Sequence, residues 1–183
     1  MTSETTVIDF IDRSMDGLFS DGLPIVPPTA DAVNAFVLAS GLEAGTFLGE
    51  FRPRQSRVTV KDVAVNAVMA GCKADYAPVV VAAARALMDE SFDVWGIACS
   101  TKGSAPLIIV NGPVRGAIGL NCRTNVFGPG FRANATIGRA VRLMILNLGG
   151  ARPDELDKAT LGNPVGIVDQ IARGRALDAY MAA

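Results

Sequence analysis

The tightest constraint on the fold is the stretch from Thr59 to Gly71. Thr59-Val60-Lys61-Asp62 has the form of a capping box, with Asp in the place usually held by Glu. Behind it comes an almost wholly apolar run, Val60–Ala70, closed by Gly71. Start signal, apolar body and glycine stop predict one helix over 60–70. A second helix is predicted at once, over Asp75–Met88, with Pro78 tolerated because it falls in the first turn. Two apolar helices in succession need cover. Half of the 183 residues are apolar, against 19% charged, and much of the excess is alanine, which brings elements close together. The expectation is a densely packed domain with one further apolar face buried in a homo-oligomer.

Other helices follow from the same punctuation. Val7–Leu18 has apolar residues near helical spacing, and Asp21-Gly22 breaks it. Three prolines stiffen Leu23–Thr29, and Thr29 is placed to cap a helix over Ala30–Leu38 that stops at Gly41. Gly45–Arg57 reads as irregular or edge-like and carries Arg52, Arg54 and Arg57. In the second half Asp93–Cys99 and Pro106–Val110 read as short strands, and Gly116–Leu120 as a weaker third. A glycine-rich loop leads into a helix over about Thr136–Leu148, ended by Gly149-Gly150. A polar stretch then precedes a last helix near Val165–Tyr180. The expected fold is α/β of the mixed α+β kind: a single domain over 1–183, with an N-terminal helix in 1–20, a core in 21–165 and a C-terminal helix in 166–183.

Composition narrows the chemistry. There is no histidine, so a Ser-His-Asp triad, a Cys-His pair and imidazole metal ligation are all excluded. Seventeen basic and eighteen acidic residues give a net charge of −1 with no long run of either sign, which recommends neither nucleic acid nor an anionic membrane. The start shows no basic region followed by an apolar one, and no apolar stretch is long enough to span a bilayer. Three widely spaced cysteines without a CxxC suit a reducing cytoplasm. Carboxylates lack metal-ligand spacing, so neither metal nor cofactor is expected.

Two segments carry candidate chemistry. In the first, Gly71-Cys72-Lys73-Ala74-Asp75-Tyr76, Cys72 stands just before the second apolar helix. Unpaired N–H groups and the dipole at a helix start favour an anion, so a thiolate there is activated. Lys73 would add positive charge, and Asp75 or Tyr76 would move protons. The alternative is a buried structural thiol in a helix corner. Cys99 reads as core, and Cys122 as a second thiol in a polar turn.

The second segment is Gly128-Pro-Gly130-Phe-Arg132-Ala-Asn134-Ala-Thr136-Ile-Gly138-Arg139. A glycine loop entering a helix is an anion cradle. Asn134 or Thr136 would cap the helix, and Arg132 and Arg139 would supply forked donors to a carboxylate or phosphate; the alternative is a capped helix with solvated arginines. Neither a P-loop nor a dinucleotide fingerprint is present. Asn111, in Asn-Gly-Pro after the strongest strand, is a further candidate at a strand end or a plain turn.

Several strings taken together resemble a bacterial family, the C-terminal region of UGSC-type (seleno)proteins. They are Asp21–Thr29, Ala67–Cys72, Ile109–Pro113, Phe127–Arg139 and Asn147–Gly150. The Cys-Gly-Ser-Cys motif of that family, with selenocysteine or cysteine first, is absent here. The resemblance therefore implies a stand-alone version that works beside a separate chain holding the motif, and it hints at thiol or selenol chemistry. From this follow two expectations of different class. One is a cytoplasmic enzyme subunit, of lyase or hydrolase type, acting on a small anionic substrate through Cys72. The other is a non-catalytic binding or scaffolding subunit, or a thiol-redox partner of the motif-bearing chain.

Overall fold

The capping box forms as the sequence predicts. In the computed structural model the Asp62 carboxylate accepts hydrogen bonds from the backbone N–H of Thr59 at 2.8 Å and from its hydroxyl at 2.6 Å. Helix α3 runs from there over Val60–Ala70, and Gly71 closes it at φ +89°. The structure describes residues 4–17, 19–52, 54–101, 105–153, 155–158 and 170–171. Among them α3 is central. It packs against helix α7 (Arg132–Asn147), helix α2 (Ala30–Ser40) and helix α4 (Ala77–Leu87). Val60, Val63, Ala64 and Ala67 of α3 are completely buried, as are Ile137, Ala140 and Val141 of α7. A helix apolar on nearly all sides is stable only where neighbours cover all sides, and this one is covered. At roughly 25 cal/mol per Å² of apolar surface removed from water, these side chains carry most of the stabilisation.

The remaining elements form a mixed α+β arrangement around this core, with helices in both halves of the chain. Thr29 caps α2 by accepting from Ala32 N–H at 3.3 Å, and Gly41 ends it at φ +71°. Helix α1 covers Glu4–Met15 and anchors through Ser14, which is almost fully buried, and through Phe10. Strands β1 (Phe47–Phe51) and β2 (Ser56–Thr59) pair antiparallel, in register Phe51↔Ser56, Glu50↔Arg57 and Gly49↔Val58. The region read as irregular or edge-like is thus a hairpin, and Arg57 lies 4.5 Å over the Phe47 ring.

Three other expectations need correction. Asp93–Cys99 is helix α5 (Val94–Cys99), not a strand, because the Asp93 carboxylate accepts from Gly96 N–H at 2.9 Å and caps a turn. Gly116–Leu120 is not a strand either. Its first two residues belong to the short helix α6 (Val114–Ala117), started by Pro113, and Ile118 caps that helix. The strand at Pro106–Val110 shrinks to β3 (Ile108–Ile109), which pairs parallel with β4 (Gln170–Ile171). The last predicted helix otherwise lies outside the described residues, but β4 makes Gln170–Ile171 extended rather than helical.

Candidate functional site

The end of α3 decides what Cys72 can be. Gly71 in the left-handed region turns the chain so that its N–H reaches Val68 O at 2.9 Å and the N–H of Cys72 reaches Ala67 O at 3.0 Å. This is a Schellman closure. Cys72 therefore belongs to the carbonyl end of α3, the electronegative end of that helix dipole. The next α-helix begins only at Ala77, after a 3₁₀ turn at Ala74–Tyr76. The sequence reading put Cys72 at the electropositive start of α4. The structure corrects this, since the glycine stop hands its amide to the preceding helix.

The sulfur is enclosed as well. Cys72 is 9% exposed, and its Sγ–H donates to the backbone carbonyl of Thr136 at 3.2 Å. Burial pushes the thiol up to about 12. The Thr136 hydroxyl and the Arg132 charge act in the opposite direction without overcoming it. Thr136 Oγ1 donates its proton to Arg132 O at 2.8 Å, which leaves burial dominant. At neutral pH this is a thiol, and the expected thiolate is not formed.

The two candidate segments do meet in space, through Arg132 and Thr136. Arg132, in the first turn of α7, donates from Nε at 3.0 Å and from Nη2 at 2.9 Å to Gly71 O. Its guanidinium closes the carbonyl end of α3, a favourable place for a cation. Next to it the Tyr76 ring is buried to 3% exposure. Its hydroxyl has no hydrogen-bond partner among the described residues. Burial, then the nearby Asp75 carboxylate, push the phenol up, while Arg132 pulls it down. Tyr76 therefore stays protonated at neutral pH. Lys73 and Asp75 are exposed, with no ion pair among the described residues.

The other proposed anion ligands are committed elsewhere. Arg139 grips Asp21 with two parallel bonds, Nε–Oδ2 at 2.9 Å and Nη2–Oδ1 at 2.8 Å, and also donates to Leu23 O at 3.2 Å. The side chains are 13% and 2% exposed. This buried pair straps the segment after α1 onto α7, and Asp21 and Leu23 engage the Arg139 guanidinium. Asn134, almost fully buried, pairs with the backbone of Asn121, accepting at 2.8 Å and donating at 3.0 Å. Neither it nor Thr136 caps α7. Phe131 stands at the cap position, with no side-chain bond. Gly130 lies in an exposed turn at φ +116°.

Asn111 lands somewhere else. It lines a groove of about 510 Å³ between α4, β3 and α6. Pro78, Ala82 and Ala86 form one wall, and Leu107 and Ile109, both about half exposed, form part of the other. Of the fifteen described residues lining it, Asn111 alone has a polar side chain. Sequence reasoning missed this groove. Its one visible signal was the run of small residues Pro78, Ala82 and Ala86 at four-residue spacing, which leaves a shallow channel along a helix. Sequence reasoning also missed Asp21, whose partner stands 118 residues away.

Among the described residues there is no group of three or more side chains suited to a metal ion, and no helix long and apolar enough to cross a membrane. All three cysteines are free, Cys99 and Cys122 half-buried. No protein-family model, no curated protein and no solved structure matches this chain.

Proposed function

We propose that this chain is a non-catalytic binding or scaffolding subunit, with the apolar groove beside α4 as its binding surface. The observation that carries this reading is the state of Cys72: sheltered, hydrogen-bonded to the Thr136 carbonyl and held as a thiol. With no histidine in the chain, Cys72 was the one strong candidate nucleophile. A nucleophilic thiol needs to ionise near working pH, and this environment opposes ionisation. Arg132 and Arg139, offered as substrate clamps, serve as internal fastenings instead. A groove of about 510 Å³ falls in the range of small-molecule sites. The missing Cys-Gly-Ser-Cys motif fits a subunit that supports a separate chain holding the chemistry.

Alkylation kinetics test the proposal. In a Cys99→Ser, Cys122→Ser background, Cys72 is the sole thiol. Thiolate supply scales with the distance between pKa and pH, so at pH 8 its labelling by iodoacetamide is expected to run about 10³-fold slower than that of a simple exposed thiol. Unfolding in urea should restore the ordinary rate. Fast labelling of the folded protein near pH 7 would overturn the reading and return the cysteine-dependent enzyme, acting on a small anionic substrate, to first place.

A further inference from the structure

We infer that the α4–β3 groove is a site for a neutral, mostly apolar small molecule that carries one hydrogen-bonding group, directed at Asn111. The inference rests on the binding-subunit reading above and names its ligand class.

Three features of the groove select this occupant. The first is the lining. Fourteen of its fifteen described residues are apolar, and no charged side chain is among them. A carboxylate or an amine placed there would lose its hydration without gaining a charged partner among the described residues, which disfavours an ion. The second is scale. About 510 Å³ matches a compact organic ligand, whereas a stable protein partner covers about 20–30 residues on each side. The fifteen described lining residues fall short of that. The third is the placement of the single polar side chain. Asn111 sits two residues past the end of β3, exposed, and offers both an amide donor and a carbonyl acceptor. It can recognise a hydroxyl, a carbonyl or an amide at one end of a molecule whose remainder lies along Ala82 and Ala86.

The wall residues explain how the space arises. α4 packs its Val80, Ala84 and Leu87 inward, all buried. Pro78, Ala82 and Ala86 remain exposed on the outer side. Leu107 and Ile109, 50% and 48% exposed, stand as the opposing wall. Side chains this small on one wall and this large on the other leave a slot rather than a flush contact. Covering the two large side chains with ligand removes apolar surface from water and supplies the driving force.

Three matched probes test the inference on the full chain: 1-naphthol, naphthalene and 1-naphthoate, each followed by fluorescence at pH 7. The expected order is naphthol above naphthalene, with naphthoate at least tenfold weaker than either. Asn111→Leu should bring naphthol and naphthalene to within about twofold of each other. Ala82→Phe and, separately, Ala86→Leu place larger side chains into the slot from exposed helix positions, and either should weaken all three probes at least tenfold with the circular dichroism unchanged. Equal or tighter binding of naphthoate overturns the assignment, as does binding that survives both filling substitutions. Light scattering that reveals a dimer broken by Ala82→Phe makes the occupant a second copy of the chain and overturns it too. If no probe binds while Cys72 remains slow to alkylate, the ligand assignment fails and the non-catalytic reading stands. If Cys72 alkylates fast, that reading fails whatever the probes do.

Discussion

Separating Arg139 from Asp21 should cost more than breaking either of the other ion pairs, Arg52–Glu90 and Arg142–Asp157, seen among the described residues. The Asp21 carboxylate is 2% exposed and the Arg139 side chain 13%, and two bonds of 2.8–2.9 Å join them. Arg139→Met leaves a carboxylate shut away from water without its cation. Removing one partner of a buried pair costs about 3–5 kcal/mol, and the depth of Asp21 puts this variant at the upper part of that range. Asp21→Asn strands the guanidinium instead. Arg139 keeps the Leu23 carbonyl at 3.2 Å and some solvent, so about 3 kcal/mol is expected. For a chain of this length each kcal/mol moves Tm by about 2–4 °C, so Arg139→Met should melt at least about 8 °C lower by differential scanning calorimetry. The double variant should lose less than the sum of the two singles, since no orphan charge remains. Single losses below about 1 kcal/mol would mean that the pair behaves like a solvated surface bridge, and the strap would be refuted. So would a thermal shift from added phosphate in the native protein that Arg139→Met abolishes, because Arg139 would then be an anion ligand after all.

The remaining predictions concern the ends of α3. Cys72 has a folded-state pKa of about 12, raised from an ordinary 9.0, so its neutral form is the one that folding favours. Its contribution is fully present below about pH 9 and is lost progressively between 9 and 12. At pH 10.5 the native protein should have lost about 2 kcal/mol relative to a Cys72→Ala variant, with the gap measured at pH 8 as reference, in paired urea titrations. An unchanged gap between the two pH values contradicts the burial argument. At the other end, Thr59→Ala removes the hydroxyl half of the capping box and should cost about 1 kcal/mol, read as a fall in the urea midpoint with the slope unchanged. A loss under a few tenths would show that packing alone fixes where α3 begins.

What could be read from the sequence was set by local chemistry. Thr29, Thr59 with Asp62, Gly41 and Gly71 each act within a few residues, so α2 and α3 end where their caps dictate. Asp93–Cys99 and Gly116–Leu120 are too short for a period to show, and a single Asp93 cap or Pro113 start turns such runs into helices. The candidate site failed in a more instructive way. Cys72 lies between two helices, and local sequence allowed its amide to belong to either one. The Gly71 turn assigned it to α3, which reversed the electrostatic argument built on it. Arg132 was expected to clamp a substrate anion, but its donors point at Gly71 O. Arg139 bonds a residue 118 positions away, and no local pattern encodes such a destination.

The proposed binding role stands or falls with Cys72 being a sheltered thiol. Thiolate absorbance near 240 nm, followed against pH in the Cys99→Ser, Cys122→Ser protein with its Cys72→Ala counterpart as blank, measures this directly. No Cys72 midpoint is expected below about pH 11 while the protein stays folded. A midpoint below about 8.5, the ordinary range for a free cysteine, would contradict it.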